Sequence, residues 1–236
     1  MAKKRSLADP GIRSFWDARV ANWDATRYSG KKDAMSKLHA TARNPDESIQ
    51  FRNKIVLEHL APHIENKHIV EFGCGTGRLA SALVERGAAS YTGYDFAANA
   101  IIIAEQRTAE QGLQDRIRFT CAEVGEMRSI EADFVFSMGL LSWIPLTMID
   151  HLFTVTRDMH FLHNFSEKRL SWRQAVKFVH SRFISPGEFH PRSRPYDVIA
   201  DIPKRLGWKT VYDLRHAKLY DAMCISSLPF PDSLKQ

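Results

Sequence analysis

The octapeptide EFGCGTGR, Glu71 to Arg78, sets three glycines at alternate positions between the apolar run HIV and the helical pattern LASALVERG. A chain that leaves a strand through three residues without Cβ atoms makes a tight turn at the carboxyl edge of a sheet and brings its backbone close to a ligand there. From Ile69 onward apolar runs alternate with helical patterns in the rhythm of βαβ units. The patterns predict strands near 68–72, 90–95, 117–121, 132–138, 159–165, 209–216 and 219–228, with helices at 77–86, 97–111, 147–158, 170–182 and 196–206. Seven such strands make an α/β fold, a doubly wound and mainly parallel sheet in three α-β-α layers. Only a few residues around Lys218 separate the last two strands, too few for a crossover helix, so that pair must be antiparallel.

Two ligand classes compete for the turn. A dinucleotide fold spaces its glycines G-x-G-x-x-G and seats a pyrophosphate on the helix N-terminus. Here the spacing is Gly73-x-Gly75-x-Gly77, and the acidic Glu71 stands where a pyrophosphate would be repelled. The ligand wanted carries positive charge and no phosphate.

With these residues on view, E-x-G-x-G-x-G after the first strand resembles the nucleotide motif of class I S-adenosylmethionine-dependent methyltransferases of small-molecule type. The resemblance continues in order. Asp95, ending YTGYDF, matches the carboxylate that holds both ribose hydroxyls, with Phe96 beside it. Glu123, followed by Val124, matches the acidic position that receives the adenine amino group. The backbone near Ser137 and Met138 meets the methionine end, and the reversed final strand is similar to the family's seventh. The match spans about residues 55–228 and implies S-adenosylmethionine as cofactor, S-adenosylhomocysteine as product, and 1–54 as a helical extension or lid. Each position also has a structural use: Gly75 and Gly77 as turn and helix-sheet contact, Asp95 as a helix cap, Glu123 as a surface residue.

In the family the loop after strand four carries acceptor information. The N-P-P-Y and Pro-Cys sequences of nucleic-acid enzymes are absent from SMGLLSWIP, and the histidine of many small-molecule members is replaced at Ser142 or Trp143. The remaining base candidates are His163 at the end of strand five, His190 in the Pro-rich loop 185–195, and Tyr28 and His39 in the extension. The segment FLHNFSEKRL and the basic helix pattern after it are similar to O-methyltransferases of quinone and porphyrin type and name no substrate.

Charge divides along the chain. Residues 1–54 hold 12 basic against 6 acidic side chains, 55–155 hold 7 against 13, and 156–236 hold 14 against 8. The two basic flanks coincide with the regions that set specificity in the family, the extension and the insert at about 166–208. They point to a small acidic acceptor, methylated on oxygen or less favourably nitrogen, and met by Arg27, Lys31, Lys32, Trp143, Arg192 and Arg194. RNA or protein acceptors, a non-catalytic binder of the same cofactor, and an NAD-dependent oxidoreductase are the alternatives. No nucleic-acid module is recognisable.

Phe15, Trp16, Val20 and Trp23 mark an amphipathic helix in the extension. Three dispersed cysteines make neither a zinc site nor a disulfide framework, and no metal cluster at ligand spacing stands near strand four. No apolar run approaches the length of a membrane span, so a cytoplasmic protein with no membrane partner is expected. Nothing in the sequence sets an oligomeric state.

Overall fold

The computed structural model describes residues 10–28, 45–169 and 191–235, and for Pro10, Ala21, Trp23, 25–28, Pro45 and Asp46 the backbone alone. Two helices, α1 (Pro10–Tyr28) and α2 (Pro45–Leu60), precede the sheet, each with proline as its first residue, where a missing N–H costs the helix nothing. The strands are β1 (His68–Phe72), β2 (Ser90–Asp95), β3 (Ile117–Cys121), β4 (Phe134–Met138), β5 (His160–Ser166), β6 (Tyr212–Leu214) and β7 (Ala222–Ser226). Between them lie α3 (Ala80–Glu85), α4 (Ala98–Glu110), α5 (Leu146–Val155) and α6 (Tyr196–Arg205).

The sheet order is β3-β2-β1-β4-β5-β7-β6. The first five strands are parallel, and β7 runs antiparallel to both β5 and β6. The expected seven strands and the reversed final pair are therefore present, with β6 and β7 shorter than predicted and a short turn, Ala217–Leu219, between them. Helix α3 begins at Ala80, three residues later than expected, since the Gly77 carbonyl accepts from the Ala80 N–H while still inside the turn. The helix expected at 170–182 lies outside the described residues.

Alternation along each strand makes two cores. Ile69, Phe134, Phe136 and Leu162 face α2 and α3, where Ile55, Leu60 and Leu83 are fully buried. Val70, Val135, Phe161 and Phe165 face α5 and α6, against Ile149, Leu152 and Ile199. Helix α2 runs unbroken through Lys54 and Ile55, so the position where an extension was expected to end falls inside a helix. Among the described residues no helix is long and apolar enough to cross a membrane, and no cluster of histidine, cysteine and carboxylate side chains is arranged to hold a metal.

Candidate cofactor and acceptor pocket

All three glycines of the turn have positive φ, +71° at Gly73, +52° at Gly75 and +67° at Gly77, which explains why no side chain is carried there. Their surroundings differ. A Cβ on Gly75 would meet nothing within 4 Å, so that residue opens onto a pocket. A Cβ on Gly77 would stand 2.4 Å from Phe119 Cζ and 3.0 Å from Ala104 Cβ, so Gly77 is a contact between turn, β3 and α4 and does not line the pocket. The N–H groups of Gly73 and Cys74 both donate to the Tyr94 carbonyl, at 2.7 and 3.1 Å, and Gly75 N–H donates to Asp95 Oδ2 at 2.9 Å. The turn thus spends these donors on the end of β2 and offers no phosphate cradle, in keeping with the reading from glycine spacing.

Asp95 also accepts from Ala97 N–H at 2.9 Å. Burial pushes its carboxyl above the ordinary range, and the Ala97 and Gly75 donors hold part of that rise back. Phe96, Glu123, Val124 and Met138 complete the pocket with Tyr94, which sequence reasoning had not singled out. Glu71 lies beneath it. The carboxyl is buried, accepts from the Tyr91 hydroxyl at 2.5 Å and is pushed up to about 8, first by burial and then by the nearby Asp95 charge, with the Tyr91 donor opposing. At neutral pH it therefore holds a proton in this state, so Glu71 is not the fixed negative charge expected beside the glycines.

Two roofing helices close the pocket. Trp16 and Val20 come from α1, and Ile49, Arg52 and Asn53 from α2. Trp143, after β4, packs edge-on against Trp16 with ring centres 5.0 Å apart. Arg13 of α1 donates to Glu123 Oε2 at 3.2 Å. Arg52 brings a cation to the pocket lining, its Nη1 lying 3.5 Å from where a Cβ on Gly139 would stand. Neither arginine was foreseen.

Several expected site residues are placed elsewhere. His163 is fully buried in β5, between Phe153 and Phe161, with Nδ1 2.9 Å from Ser137 Oγ. Burial lowers its imidazole to about 3, so it is neutral. It is no base for a ligand in the pocket, because β5 continues past it to Ser166 and its side chain points into the core under α5. Ser137, its partner on β4, is equally buried and is not among the residues lining this pocket, while its neighbour Met138 is. Arg194 donates through Nη2 to the Ile144 carbonyl at 2.7 Å and through its backbone N–H to the Ser166 carbonyl, so its guanidinium ties down the loop after β4 and does not reach into the pocket. Arg192 is exposed and its N–H donates to the Ser142 carbonyl at 2.7 Å. Ser142, where a histidine was sought, is buried, with its hydroxyl accepting from Ser166 N–H at 2.9 Å. His190, His39, Lys31 and Lys32, and the side chains of Tyr28 and Arg27, lie outside the described residues.

This arrangement, a glycine turn, a carboxylate ending β2, an acidic residue after β3 and a reversed last strand, is that of the class I S-adenosylmethionine-dependent methyltransferase fold, and the chain has that fold. Residues 69–159 match the family model described as a methyltransferase domain. Magnesium protoporphyrin IX methyltransferase from Synechocystis PCC 6803, solved with bound SAH, superposes with a TM-score of 0.72 at 18% identity, covering 91% of this chain and 96% of that one. The same protein has been solved with SAM, the cofactor that this fold and domain imply here. The ubiquinone biosynthesis O-methyltransferase of Neisseria meningitidis serogroup C is 28% identical over 110 residues, 42% of this chain and 46% of that protein. The ribosomal protein L11 methyltransferase of Pasteurella multocida is 32% identical over 72 residues, 30% of this chain. The match spans only about a quarter (24%) of the length of that relative.

Proposed function

We propose that this chain transfers a methyl group from S-adenosylmethionine to an oxygen of a small acidic acceptor. The observation that carries the reading is the meeting, in one pocket, of Asp95 held by the Gly75 N–H, Glu123 with Phe96 and Val124, and the loop after β4. The lining suits the cofactor: on this reading Asp95 would accept from two vicinal hydroxyls, Glu123 and the apolar walls would hold an adenine, and Arg52 would meet the carboxylate of an amino acid. When bound, S-adenosylmethionine supplies a methyl on a positively charged sulfur, and the acceptor oxygen forms its bond to that carbon as sulfur keeps the electron pair of the bond that breaks.

The chain's own contribution is alignment and exclusion of water. Trp16, Val20 and Trp143 line the pocket with apolar surface, as do Leu140, Ile144 and Met148 after β4. The titratable side chains among the described lining residues are Arg52, Tyr94, Asp95 and Glu123. An oxygen already ionised at neutral pH, a carboxylate or an acidic phenol, asks for no base, which is why an acid is the favoured acceptor over an alcohol. On this reading the acid is met by Arg192, whose side chain is exposed and whose backbone N–H donates to the Ser142 carbonyl.

Labelled methyl transfer from S-adenosylmethionine to a panel of aromatic and aliphatic acids, each paired with its amide, tests the reading. The expected result is transfer to acids over amides, with Arg192→Ala raising KM several-fold at little change in kcat. Transfer to amines or alcohols in preference to acids would overturn the acceptor class.

A further inference from the structure

Helix α1 lies across the pocket along a single stripe. Arg13 reaches Glu123, Trp16 packs on Trp143, Asp17 accepts the Asn99 N–H at 3.0 Å, and Val20 is buried against Ala97 and Ala100. One turn further, Asp24 is buried at 7% exposure against the glycine turn itself. Its Oδ1 accepts from Thr76 Oγ1 at 2.6 Å and from Arg78 Nε at 2.6 Å, and its Oδ2 accepts from Arg78 Nη2 at 2.7 Å and Arg107 Nη2 at 3.3 Å. Arg107 also donates to the Thr76 carbonyl. The two arginines lower the Asp24 carboxyl despite its burial.

Two of these partners, Thr76 and Arg78, stand inside the octapeptide that shapes the cofactor pocket, and neither lines that pocket. Their side chains are spent on α1. A carboxylate gripped by a forked guanidinium and a second arginine is a strong, directional fastening. It joins the helix that covers the site to the turn that floors it.

We propose that Asp24 is a latch: the cofactor and its product pass only when α1 lifts from the glycine turn, and the Asp24 to Arg78 and Arg107 contacts set how often it does so. The identity of the ligand rests on the methyltransferase reading above, while the latch rests on the contacts of α1. Asp24 is on this account a positioning residue, acting on the ligand through α1.

A latch and a binding contact leave different kinetic signatures. Loosening a latch raises the open fraction of both free and bound protein, so entry and exit accelerate together. Losing a contact accelerates exit alone. Stopped-flow fluorescence, with Trp16 and Trp143 as reporters, is therefore to be recorded with S-adenosylhomocysteine on the full chain and on Asp24→Asn. The expected result is a rise of roughly tenfold in both rate constants with Kd changed less than about threefold. Faster dissociation with unchanged association, or no change in either, would overturn the latch. Arg78→Lys, which keeps the charge and loses the fork, is expected to give an intermediate acceleration and provides a second test should Asp24→Asn fold poorly.

Hydrogen exchange without ligand separates the two readings. Amides of α1 in Asp24→Asn should lose about tenfold in protection while those of β1 and β4 keep theirs. Unchanged α1 protection would refute the latch whatever binds. Should S-adenosylhomocysteine bind neither protein, the methyltransferase reading fails, and the exchange result still decides the latch.

Discussion

At the scale of single residues, neighbouring glycines of one motif do separate work. Gly75→Ala places a methyl in the open pocket at a φ of +52°, so it should weaken S-adenosylhomocysteine binding by an order of magnitude or more, with a stability loss of about 1 kcal/mol. Gly77→Ala drives a Cβ against Phe119 and adds the same backbone strain, so calorimetry should show a loss of about 2–4 kcal/mol, and a melting temperature several degrees lower than that of Gly75→Ala. Equal effects of the two on stability would contradict this division. The buried acids and bases make a second prediction. Glu71, raised to about 8 in the fold, holds a proton that the unfolded chain gives up, so its contribution falls as pH rises from about 4.5 to 8. His163 and His59, lowered to about 3 and 4, stay neutral in the fold and gain a proton when unfolded, so their contributions fall as pH drops below about 6.5. The two histidines outweigh Glu71 on the acid side, and Glu71 acts alone among these three above 6.5. Denaturant titrations should place the stability maximum near pH 6.5, with a decline of up to about 1.4 kcal/mol per unit towards pH 8 that Glu71→Gln removes. A decline that survives in the variant would assign the titration elsewhere.

At the scale of elements, the loop after β4 is held from behind by the chain returning from the insert. Ser142 receives Ser166 N–H, its carbonyl receives Arg192 N–H, and Ile144's carbonyl receives the Arg194 guanidinium, which leaves Trp143 between two fixed neighbours. Ser142→Ala orphans a backbone donor and is expected to cost about 1–3 kcal/mol in stability, read by denaturant titration. Ser142→His should restore no base, because the position is buried. These tethers were illegible in the sequence, where Ser142 showed only as a missing histidine and Arg194 as a free cation in a Pro-rich loop. The strands were legible because each is a short apolar run bounded by turns, and Gly73, Gly75, Asp95 and Glu123 because they recur in fixed order along βαβ units. His163 misled for a related reason: alternation marks which residues share a face of a strand, not which face carries the ligand. Asp24 and Arg13 left no local trace, since their partners stand 52 to 110 positions away and only the packing of α1 brings them together.

At the scale of the whole molecule, an acidic middle segment that supplies most of the pocket lining is flanked by two basic segments, of which α1 and α2 add lining residues and the stretch between β5 and α6 holds the loop after β4. The central claim is that this pocket binds S-adenosylmethionine and its product through Asp95. The measurement that tests it most directly is isothermal titration of the full chain and of Asp95→Ala with S-adenosylhomocysteine and NADH. The account predicts saturable binding of S-adenosylhomocysteine at one site, weakened roughly a hundredfold in the variant as two charge-assisted hydrogen bonds are lost, and no binding of NADH. Binding of NADH in its place, or binding of S-adenosylhomocysteine that is indifferent to Asp95, would contradict it.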